Sequence, residues 1–597
     1  MKPLSLTACL LSACLAAAAP ARAADRLKDE ASAFLRTNAA SPVDWMPWGD
    51  AAVERAHREQ RPVFLFVGSF TSELARAMTR QTFANPEAAA WLNKNFICVI
   101  ADRDEHPEVA SLYGSYVSDV KQLGGWPLNV FLTPDFAPFE GAAYLGPSED
   151  WGWPGFLKLA NQAKTAWEAS PAACRKRAQE AVTQLAPPSK ATEVRAWSSE
   201  KTQARLDAAQ AAWLASFDAV HGGFSDPPKA PNPELLRFLL LRPGAGRDAA
   251  LVTLRAMAGS ALRDPLDGGF YHYASDDAWR LPYPQKLLAD QARVALAYTL
   301  AAEGPDAQSF ERTARGALDY ALGSLALPDG TFCAAVDATG DEYVATYAWR
   351  AADIDAALGP DAAAFRLAHG VEASGNVPAS DDPSGTYAGR NLLRSPAGPD
   401  TPASAIARLL ALRNQRPAPP RDPRATAEAH GLLLSALSRA AERFHDARYR
   451  DAAGQVLASA RRAFLASEDG ELRHLAGSGL PGAPGDYAAL ALGCIDAGRA
   501  RGDPAASALG ARLLARLNAR FYDPVSGRYF ATAAEHTPGL FVRPYGDPEP
   551  PAAESLAIEA GTPNAAEVAA ALSDSLEETA AQAPADALLA LQVYRRP

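Results

Sequence analysis

The sequence predicts an α/β layer domain followed by an all-α domain closed as an (α/α)6 toroid, or barrel, on three observations. Strands alternate with helices up to Pro187. Alanine- and leucine-rich helices, separated by acid–glycine turns, fill Thr192 to Pro597. Between them, the Pro- and Ser-containing stretch Ala186–Lys190 reads as a linker, giving domains over 25–187 and 192–597.

The chain opens on a targeting pattern: Lys2, an apolar core from Leu4 to Ala19, and Ala21-Arg22-Ala23 as a small-x-small cleavage site. Residues 1–23 are thus expected to be a signal peptide, and the protein exported to a periplasmic or secreted location. Leu11-Ser12-Ala13-Cys14 offers an alternative, a lipoprotein anchored through Cys14. No later segment reaches ~18 apolar residues, so no transmembrane helix is expected.

In the first domain the pattern gives a helix over Gly49–Glu59, a strand over Val63–Val67, and helices over Ser72–Thr82 and Pro86–Asn93. A strand over Phe96–Ala101, a helix over Glu108–Val117 and a strand over Leu128–Leu132 follow. Pro127 cannot donate to a ladder, so Trp126-Pro127 marks a strand edge or a cis bond. The turn after the first strand is where a thioredoxin-like domain holds Cys-x-x-Cys at a helix start. Here it reads Ser72, Glu73, Leu74, Ala75. A hydroxyl and a methyl cannot exchange electrons, whereas a serine cap and a first-turn acid suit a helix N-terminus. The remaining cysteines, Cys98, Cys174, Cys333 and Cys494, are too scattered for a disulfide framework, and Cys98 sits in an apolar run that predicts burial.

In the second domain an acid, a glycine and often an aromatic recur at Asp218–Phe224, Asp267–Phe270, Asp329–Phe332, Asp382–Tyr387, Asp469–Gly470 and Asp523–Tyr529. Six such units predict a closed ring of helical hairpins around one cavity. An open solenoid is the alternative.

Several motifs resemble those of the spermatogenesis-associated thioredoxin-like family. They are SPVDWMPWG, RPVFLFVG, QTFANPE, NKNFICVIADRDEHPE and GGWPLNVFLTPD in the first domain, and HGGFSDPPKAP, LDGGFYHYASDDAW and KLLADQA in the second. The resemblance covers nearly the whole chain after the targeting segment. It implies a thioredoxin-like domain fused to a six-hairpin-glycosidase-like barrel. The chain departs from the family at Ser72 and Ala75, where cysteines are usual, at Tyr283-Pro284-Gln285 for His-Phe-Glu, at Ala429-His430 for Trp-Asn, and around Ala552–Glu554.

Function is expected to follow those losses. The leading expectation is a redox-inactive binding or accessory protein, with a carbohydrate or glycan-like ligand in the barrel and a peptide or protein at the thioredoxin-like face, beside Trp126. A carbohydrate hydrolase, lyase or epimerase is the alternative; its carboxylates would be Asp276 or Asp277 with Asp337. A purely structural interaction protein is the third reading. Candidate ligand contacts are His272, Tyr273, Trp279, Asp290, His430, Asp486 and Tyr487, although acids at hairpin turns also cap helices. No cofactor or metal signature stands out among nine scattered histidines. A net charge of −11 without a basic run argues against nucleic acid.

Overall fold

The computed structural model describes residues 26–148, 155–186, 197–338, 340–395, 401–533, 552–576 and 584–595. The expected targeting segment and most of the linker lie outside them.

Five strands form the first sheet: β1 (Met46–Pro47), β2 (Val63–Gly68), β3 (Ile97–Asp102), β4 (Leu128–Leu132) and β5 (Pro138–Ala142). Their order is β1-β3-β2-β4-β5, with β2 parallel to β3 and β4 antiparallel to β2. This is the thioredoxin-like arrangement. Its central strands are buried on both faces, which is why they read as unbroken apolar runs. Alternate residues serve two cores: Phe64 and Phe66 face Trp45, Phe83 and Phe131, while Val63, Leu65 and Val67 face Trp48, Tyr113 and Val130.

Helices α1 (Ala33–Asn38), α2 (Asp50–Glu59), α3 (Glu73–Met78), α4 (Pro86–Asn95), α5 (Pro107–Ser115), α6 (Phe156–Ala169) and α7 (Pro171–Leu185) cover the sheet. The sequence pattern missed α1, α6, α7, the short β1 and β5. A cis peptide joins Trp126 to Pro127. Cys98 is buried as expected, and burial pushes its thiol up.

The second domain is a double ring. Helices α9 (Pro233–Leu240), α11 (Leu288–Ala301), α17 (Ala427–Phe444), α19 (Pro484–Arg501), α21 (Ala553–Glu559) and α23 (Ala585–Tyr594) each touch the next, and α23 returns to α9. The ring is therefore closed, and the open solenoid is excluded. Outside it lie α8 (Ser199–Ala215), α10 (Ala245–Ala258), α12 (Ala307–Ser324), α18 (Ala447–Phe464), α20 (Pro504–Phe521) and α22 (Ala565–Ser575).

Burial separates the two layers. In α19 every residue from Pro484 to Cys494 is buried, whereas α18 buries only a stripe including Tyr449, Ala453, Val456, Ala460 and Phe464. The inner helices α17 and α19 cross so closely that a Cβ on Gly431 would lie 2.3 Å from the Ala489 carbonyl carbon. One on Gly493 would lie 2.5 Å from the Gly431 oxygen.

Five of the six acid–glycine turns join an outer helix to the next inner one. The Asp382–Tyr387 turn does not. It belongs to an insertion before α17, built from α13 (Gly340–Tyr347), α14 (Ala351–Leu358), α15 (Ala362–His369) and α16 (Ala403–Arg413). The insertion packs around Trp349, Ile354, Phe365 and Leu409. It is pinned to the barrel by Arg413, which pairs with Asp264 at 2.6 Å and Asp267 at 2.7 Å beside the buried Lys286. A small sheet of β6 (Gln285–Leu287), β7 (Ala335–Asp337) and β8 (Arg421–Asp422) faces the thioredoxin-like domain.

Candidate functional site

The turn that lacks the cysteine pair is docked on the barrel. Ser72 caps α3 by accepting the Ala75 N–H at 3.2 Å, and the Ala75 methyl is fully buried. On either side, the Thr71 carbonyl accepts from the Gln285 amide, the Tyr283 hydroxyl donates to Glu73 at 2.9 Å, and Arg76 pairs with Asp337. Leu74 remains exposed. Gln285 and Asp337 are register partners on β6 and β7, so one edge of the small sheet receives the whole turn. An amide at Gln285 donates where an ionised glutamate could not. Burial pushes the Asp337 carboxyl up to about 6, against the opposing pull of Arg76.

The second contact lies at the end of β3. Arg424, following β8, donates to Asp102 at 2.6 Å, to Asp104 at 3.2 Å and to Asp422 at 2.9 Å. Asp102 is fully buried, and burial pushes it up to about 7 although Arg424 opposes. His474 donates from Nδ1 to Asp486 at 2.7 Å and from Nε2 to the Asp104 carbonyl at 2.6 Å. With acceptors on both nitrogens it is an imidazolium; Asp486 and that carbonyl outweigh burial and raise it to about 10.

Between these contacts a cavity of about 230 Å3 opens on the ends of α11 and α17, roofed by Thr71, Arg103, Asp104 and Pro107. His272 and Asp290 stand on its barrel wall, 2.6 Å apart through Nδ1. Burial would raise the Asp290 carboxyl, but His272 and Arg293 hold it below the usual range. Arg293 is itself clamped by Glu234, at 2.8 Å through Nε. A histidine oriented by a carboxylate on a cavity wall can accept or deliver a proton.

The other expected residues have different places. Asp276 caps the backbone N–H groups of Ala278 and Arg280, and with Asp277 it lines a separate surface pocket beside Asp218 and Asp381. Asp337 sits instead under Arg76, so the structure does not assemble the expected acid pair. Trp279 is buried and donates to the His221 carbonyl. His430 is fully buried: Nε2 accepts the Phe332 N–H at 3.0 Å, Nδ1 donates to the Thr426 carbonyl, and burial lowers it to about 4. Asp486 caps the start of α19 and pairs with His474, while Tyr487 bonds the Leu472 N–H and Glu471 inside the core. These are packing and capping roles rather than ligand contacts. Tyr273 stacks on Tyr283 at 4.5 Å, supporting the docked turn. Trp126 carries the Arg103 guanidinium 5.0 Å above its ring, and Pro127 is buried beside it. The face expected to receive a peptide is thus engaged, at the turn, by the chain's own barrel.

Sequence reasoning missed Arg424, Asp422, Arg76, Arg293 and His474. The one available signal was the acid-rich run Asp102–Glu105 directly after a buried strand.

Residues 24–186 match the family described as Thioredox_DsbH, protein of unknown function, DUF255. Spermatogenesis-associated protein 20 of Homo sapiens is 28% identical, over 88% of this chain and 73% of that protein. The mouse protein of the same name is also 28% identical, over 87% and 72%. Among solved structures, cellobiose 2-epimerase from Bacillus thermoamylovorans B4167 aligns over 66% of this chain and 85% of its own, with 10% identity and a TM-score of 0.40.

Proposed function

We propose that this chain, which belongs to the spermatogenesis-associated thioredoxin-like family, is an exported, redox-inactive binding or accessory protein. It takes a carbohydrate-type ligand in the cavity between its two domains. The observation that carries this reading is the docked turn. Thr71, Glu73 and Arg76 each bond the barrel around Ser72 and a buried Ala75, so the position of thiol chemistry serves as a fixed lid over the barrel mouth. Calorimetry of the full chain against mono- and oligosaccharides tests it, alongside an insulin-reduction assay. Saturable sugar binding with background reductase activity is expected. Thioredoxin-like turnover, or no binding across the panel, overturns the reading.

The His272–Asp290 pair favours a second reading, an acid–base enzyme on a carbohydrate. Deuterium uptake from heavy water into a bound sugar, abolished by His272→Gln, would support it. Binding without exchange or cleavage would leave the binding protein alone.

A further inference from the structure

We propose that the cleft between the domains selects a sugar bearing a positively charged amine, so that the ligand is an amino sugar; this rests on the carbohydrate reading above and narrows it.

The cavity beneath the lid meets a second one of about 380 Å3 at Pro107 and His474, which line both. The second cavity is walled by Trp48, Leu480, Pro481 and Phe521, with Glu105 among them. Ring faces and aliphatic edges of this kind suit the apolar face of a pyranose. Two buried polar atoms on these residues lack a hydrogen-bond partner: Trp48 Nε1, a donor, and Glu105 Oε1, an acceptor. Both residues are 7% exposed. Unpaired buried polar atoms are costly, about 1–3 kcal/mol each, and a ligand that supplies the missing partner recovers that cost.

Charge defines what is missing at Glu105. Its nearest cation is Arg424 at 3.9 Å, and that guanidinium already serves Asp102, Asp104 and Asp422. Every other neighbouring cation has its own carboxylate. His474 has Asp486, His106 has Glu108 at 3.0 Å, and Arg103 has Asp104 at 3.3 Å. Glu105 is therefore short of counter-charge, the more so because Glu30 adds a second negative charge nearby. Burial pushes its carboxyl up, the response of an acid without sufficient counter-charge. A ligand ammonium would supply both the absent donor and the absent charge.

The test is calorimetry on the full chain at pH 7.5 with four probes: glucosamine, its β-1,4 dimer, and the N-acetylated form of each. The amines should bind at least about tenfold more tightly than their acetylated counterparts, a difference of ~1.4 kcal/mol. Glu105→Gln should reduce that preference to within about twofold. If this variant does not fold, Asp104→Asn, which lowers the same negative excess from a partly exposed position, should reduce the preference as well. Equal or tighter binding of the acetylated probes, or a preference that survives in the folded variant, overturns the inference while leaving the carbohydrate reading standing. Failure of all four probes overturns the inference alone, and the wider panel of mono- and oligosaccharides then decides the carbohydrate reading.

Discussion

At Ser72–Ala75 the thioredoxin-like domain meets the barrel through separate polar contacts: an amide on a carbonyl, a phenol on a carboxylate and one guanidinium on Asp337. At the end of β3 it meets the barrel through one guanidinium shared by three carboxylates, with a fourth acid out of hydrogen-bond reach. The first contact joins residues one pair at a time and can be dissected residue by residue, although Glu73 adds negative charge beside Asp337 and Arg76 Nε and Nη2 and Asp337 Oδ1 have no hydrogen-bond partner. The second holds more negative charge than it neutralises, and it depends on Arg424. This difference separates a latch from a site with room for a cation.

The largest expected effect is at the shared guanidinium. Arg424→Met leaves Asp102 and Asp422, both essentially inaccessible, without their counter-ion. Breaking a buried pair in this way costs about 3–5 kcal/mol. Urea unfolding should show that loss; a change below ~1 kcal/mol would mean that the cluster sheds its charge by protonation instead.

At the latch the loss should be smaller. Arg76→Ala removes the partner of a buried Asp337 and should cost about 2 kcal/mol. Adding Asp337→Asn should recover much of that, because the orphaned charge is gone. A double variant no better than the single one would show that Arg76 acts through packing alone.

pH should distinguish the two contacts next. His474 is raised to about 10 when folded, so its contribution is complete below the unfolded value of ~6.5 and fades as pH climbs toward 10. Asp102 and Asp337 are raised as well, to about 7 and about 6. Between pH ~4 and those values the folded chain holds more protons than the unfolded one, so these groups add stability as pH falls. The urea midpoint should therefore drop from pH 7 to pH 9.5, and His474→Gln should flatten that drop. An unchanged slope in the variant would rule out His474 as its source.

The smallest change is expected from restoring the cysteines. Ser72→Cys with Ala75→Cys rebuilds the redox pair, yet position 75 is fully buried and the turn is bonded to the barrel on both sides. Insulin reduction should stay at background. Activity near that of a free thioredoxin-like domain would show that the latch opens readily.

Much of this molecule was legible in its residues. Unbroken apolar runs identified the three long strands, Ser72 was recognisable as a cap, and five of the six acid–glycine turns marked hairpins of the ring. The sixth misled because an acid–glycine turn closes any tight loop, and the Asp382–Tyr387 turn does so inside an insertion. Asp276 looked like a catalytic carboxylate and Asp486 like a ligand contact for the same reason: a carboxylate that caps backbone N–H groups and one that serves a site are alike in sequence.

The sequence alone determined both fold classes and the absence of cysteines at Ser72 and Ala75, because strand burial, helix amphipathicity and turn chemistry act over a few residues. Only the tertiary structure decided what replaced the lost chemistry. Arg76 lies 261 residues from Asp337, and Arg424 lies 322 residues from Asp102. Such pairs are energetically meaningful only when burial removes water from between them, and no local pattern records which distant charges a fold will enclose together.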